Sequence, residues 1–241
     1  MIKEDCKKIR GVIFDLDGTL IEADEAIYLG LQEAFRSFQR PIFSFQNLRQ
    51  HLRADLESTL APFFSGQELL QAISVMRKRY EEVYLDKTRF LDGAREVIET
   101  LYQEGISLAV ASNKFGRFSR GALAHLGVDG YFTAVFGSGD GLRNKPHPDM
   151  IQASIEAMAL PAEAVVFVGD SPEDIEAGKR AGVDVYALPT EVYSKQELSQ
   201  GSPKGVLRHL RDVPVLVKNS GSFLTERISL FPSLPGEIQP S

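Results

Sequence analysis

The amino-acid sequence predicts an α/β fold: a doubly wound parallel sheet with helices on both faces. Three observations carry that prediction. Short apolar runs recur along the chain, and each stops at glycine or polar residues. Helical patterns punctuated by glycine or proline separate those runs. The first run, within residues 11–20 (G-V-I-F-D-L-D-G-T-L), ends abruptly on two carboxylates, Asp15 and Asp17, and then on a Gly18-Thr19 turn. Open parallel sheets bind ligands beyond the carboxyl ends of their strands, and this segment delivers acidic groups to that edge. Two acids one residue apart repel each other, so a cation or a shared proton is needed to compensate them.

In chain order, the runs at 12–14, 106–111, 133–136, 164–168 and 183–188 read as strands. Asp92 is placed to N-cap a helix whose Ala94, Val97, Ile98, Leu101 and Tyr102 share one face and which stops at Gly105. A second helix runs to Leu126 and stops at Gly127. A third starts near Pro148, carries Ile151, Ile155 and Met158, and ends before Pro161. A fourth follows Ser171-Pro172, with proline at an early helical position, and ends near Gly182. Strands alternating with helices in this way imply a parallel sheet covered on both sides. Residues 22–90 break the alternation. They show no strand pattern, and helices are expected over about 23–38, around 48–60 and over about 67–85. A helical insertion directly after the first strand sits over that strand's end, which makes it a candidate lid; ordinary packing on a sheet edge is the alternative. V-P-V-L-V at 213–217 fits a strand or a short helix capped by Asp212. Residues 219–241, rich in Ser, Pro and Gly, are expected to lie loosely on the surface.

Composition bounds the function classes. A chain of 241 residues with 43% hydrophobic content can bury a sizeable core. A net charge of −6 gives no electrostatic case for nucleic acid. The single cysteine, Cys6, precedes the first strand and cannot form an internal disulfide, which fits a reducing compartment. The first ten residues hold no apolar signal core, and no apolar run approaches the ~20 residues of a membrane span. The expectation is a soluble cytoplasmic protein, monomeric or homodimeric, with a small-molecule partner and neither nucleic acid nor membrane.

Four polar clusters coincide with strand ends: Asp15 and Asp17, Ser112-Asn113, Lys145 in N-K-P-H-P, and Asp170-Ser171 with Asp174. One sheet edge collects them all. Asp15 could be a carboxylate nucleophile toward a phosphoryl group. Two unit charges ~4 Å apart at an effective dielectric of ~20 repel by about 4 kcal/mol, so carboxylate attack on a phosphate dianion needs help. Mg²⁺ held by Asp15, a backbone oxygen at Asp17 and Asp170 would supply it, since that ion prefers hard oxygen ligands and phosphate. Lys145 would neutralise remaining charge. Ser112, Asn113 and the backbone N–H groups around Gly18 and Thr19 would donate to the phosphoryl oxygens. Asp17 could protonate the leaving oxygen and then deprotonate water. Asp174 could orient Lys145 or support the metal shell, with Ser171 beside it.

This ordered set, D-L-D-G-T, S-N, K-P-H-P and G-D-S-P-E-D, resembles the haloacid dehalogenase-like hydrolase superfamily over about residues 10–21 and 91–190. The position of the helical insertion makes the chain most similar to the phosphoglycolate-phosphatase-like branch with a first-type cap. The resemblance implies a Rossmann-like core at 1–21 and 91–218 and a cap at 22–90. It also implies Mg²⁺ and two-step phosphomonoester hydrolysis through a phospho-aspartate at Asp15. Asp17 carries over as general acid/base, Ser112 and Lys145 as phosphate ligands, and Asp170 as metal ligand. Dehalogenases of the superfamily lack an acid at the Asp17 position. Phosphonatases need a cap lysine, and residues 41–67 contain none; transport ATPases carry Lys at the Asp17 position. The chain departs from common patterns at Glu22-Ala23, at Asp92-Gly93 and in the cap loop H-L-R-A-D-L, which argues against phosphoglycolate itself as substrate.

Arg53 and His51 in that loop are possible substrate contacts, against an exposed helix face as the plainer alternative. His125 and His209 fit surface or core packing, and His147 occupies a variable place in its motif. Met76–Tyr80 reads as a solvated basic face, and Phe35, Phe38, Phe43 and Phe45 suit a cap interior or seam. Two alternatives to a hydrolase stand. A phosphosugar mutase would use the same aspartyl chemistry, and a non-catalytic binding or regulatory protein could keep the fold.

Overall fold

A computed structural model of the chain describes residues 8–52 and 56–220. β1 (Gly11–Phe14) and β2 (Ile21–Glu22) lead into α1 (Asp24–Ser37), α2 (Leu48–His51), α3 (Leu56–Leu60) and α4 (Gly66–Lys87). β3 (Arg89–Phe90) then returns the chain to α5 (Ala94–Gln103), β4 (Ser107–Phe115), α6 (Gly116–His125) and β5 (Phe132–Ser138). The chain continues through α7 (Asp149–Met158), β6 (Val165–Gly169), α8 (Pro172–Ala181), β7 (Asp184–Ala187), α9 (Lys195–Gln200), β8 (Gly205–Val206) and α10 (Asp212–Asn219).

Six of the strands pair in parallel in the order β5-β4-β1-β6-β7-β8. β1 is central, with Phe14 in register with Val110 of β4 and Val168 of β6. Side chains alternate between the two faces, as a strand's period of two requires. Val12, Phe14, Leu108, Val110, Val166 and Val168 pack with α5 and α10, while Ile13, Ala109, Ala111 and Phe167 pack with α7 and α8. Coverage on both faces is why these strands read as continuous apolar runs. Val12, Ile13 and Phe14 are fully buried. Each such side chain contributes about 1.5–3 kcal/mol, against roughly 1–2 kcal/mol for ordering one backbone residue, so β1 is a stiff mount for whatever follows it.

The helices of residues 24–87 have an apolar centre of their own, in which α1 and α4 pack through Leu31, Phe35, Ile73, Met76 and Tyr80, with Phe118 of α6 joining from the other side. β2 and β3 pair antiparallel, Ile21 opposite Phe90, where the chain enters and leaves this block. Those two-residue strands carry no readable periodicity, and the sequence reading had no strand there.

Other expectations change as well. Asp92 does not cap α5. Gly93, in the left-handed conformation, holds that place, and the Asp92 carboxylate instead pairs with the Arg211 guanidinium. V-P-V-L-V is helical, and Asp212 accepts from the Arg208 and His209 amides as the first residue of α10 rather than as its cap. Pro214 fits because the first turn of a helix needs no donor there. Phe45 is 46% exposed rather than interior, and within Met76–Tyr80 the basic Arg77 and Lys78 are exposed as expected while Met76 and Tyr80 are buried in the apolar centre of the helical block. Asn219 ends α10, and the Ser220 hydroxyl accepts from the Ile9 amide. Cys6, Arg53 and residues 221–241 lie outside the described residues. Among the described residues no helix is long and apolar enough to cross a membrane.

Candidate active site

In the sheet β1 is flanked by β4 on one side and β6 on the other, which creates a switch point at the β1 carboxyl end. Asp15 sits there, its amide donating to the Val168 carbonyl at 2.9 Å. Ser112 comes from β4 and Asp170 follows β6. Lys145 precedes α7, and its Nζ bridges Asp15 Oδ1 at 2.7 Å and Asp174 Oδ1 at 2.5 Å. The residues that the sequence placed at four separate strand ends therefore share one crevice of about 1490 Å³. The helical block lines its other wall through Leu31, Phe45, Met76, Arg77 and Tyr80.

Asp174 is fully buried and holds the far side of the lysine. Its Oδ2 accepts from the amides of Asp170 (3.1 Å) and Ser171 (3.0 Å) and from the Ser171 hydroxyl (2.7 Å). Ser171 reciprocates by accepting from the Asp174 amide, so a capping box at the start of α8 also orients Lys145. With both oxygens occupied, Asp174 is a brace for the lysine.

Carboxylate oxygens of Asp15, Asp170 and Asp174 lie within 4.8 Å of one another, all buried. One ammonium faces three acids. Burial, opposed by Lys145 and reinforced by Asp174, pushes the Asp15 carboxyl up to about 6. Burial, then Asp15 and Asp174, push Asp170 well above the usual carboxylate range. Burial alone would lower Lys145, but Asp15 and Asp174 outweigh it and hold it charged. A hard divalent cation fits this donor set, because it would replace the missing positive charge with oxygen coordination. Thr19 donates to Asp170 Oδ1 at 3.1 Å. Gly18 is needed beside it: φ is +84°, and a Cβ would lie 2.4 Å from Asp170 Oδ2.

Several assigned roles shift. The Gly18 and Thr19 amides donate to the Ile21 and Leu16 carbonyls, so the turn itself uses these donors and they are not aimed at a phosphoryl group. The Leu16 amide supports the Asp15 carboxylate. Asn113 donates through Nδ2 to the Lys145 carbonyl (3.1 Å) and accepts through Oδ1 from the Lys145 amide (2.8 Å). Its side chain is thereby a clamp on the lysine's backbone in place of the expected phosphate donor. The Asp17 carboxylate is not part of the acidic cluster, because Lys114 Nζ contacts both of its oxygens at 3.0 Å. His51 stacks on Phe43 with ring centroids 4.0 Å apart, which accounts for it by packing. His125 and His147 are exposed, and His209 is exposed at the crevice rim.

Lys114 is the functional-site residue that the sequence reading missed. The apolar run at 106–111 predicts a strand that stops at Ala111; the strand runs on to Phe115. Two residues beyond Ser112, a strand returns to the same side, and that spacing was the available signal.

A family model described as haloacid dehalogenase-like hydrolase matches residues 12–188. A phosphoglycolate phosphatase of Aquifex aeolicus is 30% identical over 211 residues, covering 88% of this chain and 98% of its own. The pyrophosphatase PpaX of Listeria innocua is 29% identical over 221 residues, covering 88% and 98%. A solved haloacid dehalogenase-like family hydrolase from Streptococcus pneumoniae superposes with a TM-score of 0.78 at 20% identity, over 87% of this chain and 98% of that one, and supports the fold.

Proposed function

Because the chain belongs to the haloacid dehalogenase-like hydrolase family and is a phosphatase of the phosphoglycolate-phosphatase-like branch, we propose that it hydrolyses a small phosphorylated metabolite with Mg²⁺ through a phospho-aspartate at Asp15. The observation that carries this reading is Lys145 buried between Asp15 and Asp174 beside Asp170. The core at 1–21 and 91–218 supplies the chemistry, and 22–90 acts as its cap.

In the first step an Asp15 oxygen attacks phosphorus, the ester P–O bond breaks, and Asp17 gives its proton to the leaving oxygen. In the second, Asp17 takes a proton from water, the hydroxide oxygen bonds to phosphorus, and the Asp15–phosphorus bond breaks to release phosphate. Ser112 and Lys145 hold the phosphoryl oxygens, with Asn113 and Asp174 fixing the lysine in place. Asp15, Asp170 and the Asp17 backbone oxygen would hold Mg²⁺, which when bound offsets the repulsion between carboxylate and dianion. Hydrolysis is favoured over phosphoryl transfer to a sugar by the similarity to a phosphoglycolate phosphatase and a pyrophosphatase. A binding module would gain nothing from three mutually repelling buried acids.

The test is phosphate release with Mg²⁺ from a panel holding phosphoglycolate, pyrophosphate, sugar phosphates and p-nitrophenyl phosphate, with Asp15→Asn alongside. Release lost in the variant supports hydrolysis at Asp15. Isomerised sugar phosphate without release identifies a mutase, and no turnover by folded protein identifies a binding protein. The metal assignment has its own check. Asp170→Asn is expected to remove most of the thermal stabilisation that added Mg²⁺ gives, and to raise the melting temperature of the metal-free protein, since one buried like charge is gone. An unchanged response to Mg²⁺ in differential scanning fluorimetry would place the ion elsewhere.

A further inference from the structure

Lys145 is held between Asp15 and Asp174, and a second lysine is buried in the same crevice. The Lys114 side chain is 6% exposed, and its Nζ lies 3.0 Å from each oxygen of Asp17, whose own side chain is 33% exposed toward the crevice. A buried ammonium is costly unless something requires its charge, and Lys114 is ion-paired with Asp17. The other side of the ammonium is closed by the helical block. Tyr80 of α4 presents its ring with the centroid 5.0 Å from Nζ. Tyr80 is in turn fixed by Tyr84 (5.6 Å, stacked) and Phe118 (5.1 Å, edge-on). Its buried hydroxyl lies beside the same lysine, so both ends of the Tyr80 side chain face Lys114 from the helical block.

We propose that Lys114 is a positioning residue: it fixes the direction of the Asp17 carboxylate, and Tyr80 holds it there from the helical block. A symmetric contact to both oxygens leaves Asp17 one orientation where a free aspartate would sample several rotamers. Asp17 is the proton carrier of both steps proposed above, so the inference rests on that reading. It extends the reading by making the block's α4 part of the acid–base apparatus. Lys114 does not carry the transferred group. Its loss should therefore slow the steps that need Asp17 while leaving substrate binding largely intact.

The experiment uses p-nitrophenyl phosphate with Mg²⁺, because nitrophenolate leaves without a proton and formation of the phosphoenzyme does not need Asp17 as acid. Full-length wild type, Lys114→Met, Lys114→Gln and Lys114→Arg are compared, with Asp15→Asn as control. In Lys114→Met the expected results are a fall in kcat of about 10- to 100-fold, a KM that falls with it so that kcat/KM changes less than about threefold, and radiolabelled phosphoenzyme accumulating above wild type in acid quench. Lys114→Arg should restore most of kcat, since it keeps both the charge and the donors. Lys114→Gln gives the same comparison without charge if the methionine variant fails to fold. Raised KM with unchanged kcat would make Lys114 a substrate contact and overturn the proposal. So would unchanged kinetics, or a slower reaction without accumulated phosphoenzyme. If wild type turns over nothing on this or the metabolite panel, or Asp15→Asn stays active, the underlying reading fails instead, which is a separate result.

Discussion

Asp15→Asn is expected to lower kcat for phosphate release by about 10⁴-fold or more while leaving the protein folded. The side chain ends β1, whose three preceding residues are buried on both faces, so the exchange of one oxygen for an amide leaves its position unchanged. An amide cannot form the phospho-enzyme, and phosphate release followed over hours would show the loss. Stability should move the other way. The Asp15 carboxyl titrates at about 6 in the folded protein against 3.8 for an ordinary aspartate. An acid whose folded value is raised binds its proton more tightly when folded. The metal-free protein therefore loses stability as pH rises from about 4 through 6, with the loss complete above that. Removing the acid removes that term, so Asp15→Asn should melt above wild type at pH 8 without metal and close to it at pH 4. Turnover within tenfold of wild type would move the nucleophile to another residue.

Lys145→Ala is expected to give the largest loss of stability. Its ammonium is the charge shared by Asp15 and Asp174, both buried. Removing one partner of such a pair costs about 3–5 kcal/mol, chiefly because the remaining carboxylates stay buried without a counter-charge. For a chain of this size that is a fall in melting temperature of roughly 10 °C. Added Mg²⁺ should restore part of it by supplying charge at Asp15 and Asp170, and inorganic phosphate should inhibit the variant more weakly than wild type. A melting temperature unchanged in metal-free buffer would mean the lysine is not the counter-ion of this cluster.

The parts of the molecule legible in the sequence are those set by short-range pattern. β1, β4 and β6 are apolar on both faces, and Gly105, Gly127 and Gly182, all at positive φ, mark helix ends where the chain must turn. The acids, serine and lysine follow strands that a doubly wound sheet places side by side. What could not be read depends on contacts between distant segments. Asn113 looks like a donor facing a ligand until Lys145, 32 residues on, takes both ends of its amide. Lys114 acquires meaning only when Asp17, 97 residues earlier, comes within reach. Asp92 lost its capping role to Arg211, 119 residues away. The two-residue strands β2 and β3 are shorter than any period that could announce them.

The strand that leads to Asp15 is made before both of its sheet partners and lies in the middle of the sheet. Its partners, Ser107–Val110 and Val165–Val168, are translated 96 and 154 residues later. At roughly 5–20 residues per second, V-I-F waits about 5–20 seconds with both edges unsatisfied, and about 8–30 seconds before its second partner is made. A nascent chain stopped before β6 would display a sticky, half-built centre lacking Asp170. Biogenesis of this protein therefore carries a window of aggregation risk, and a chaperone holding the N-terminal strand would shorten it.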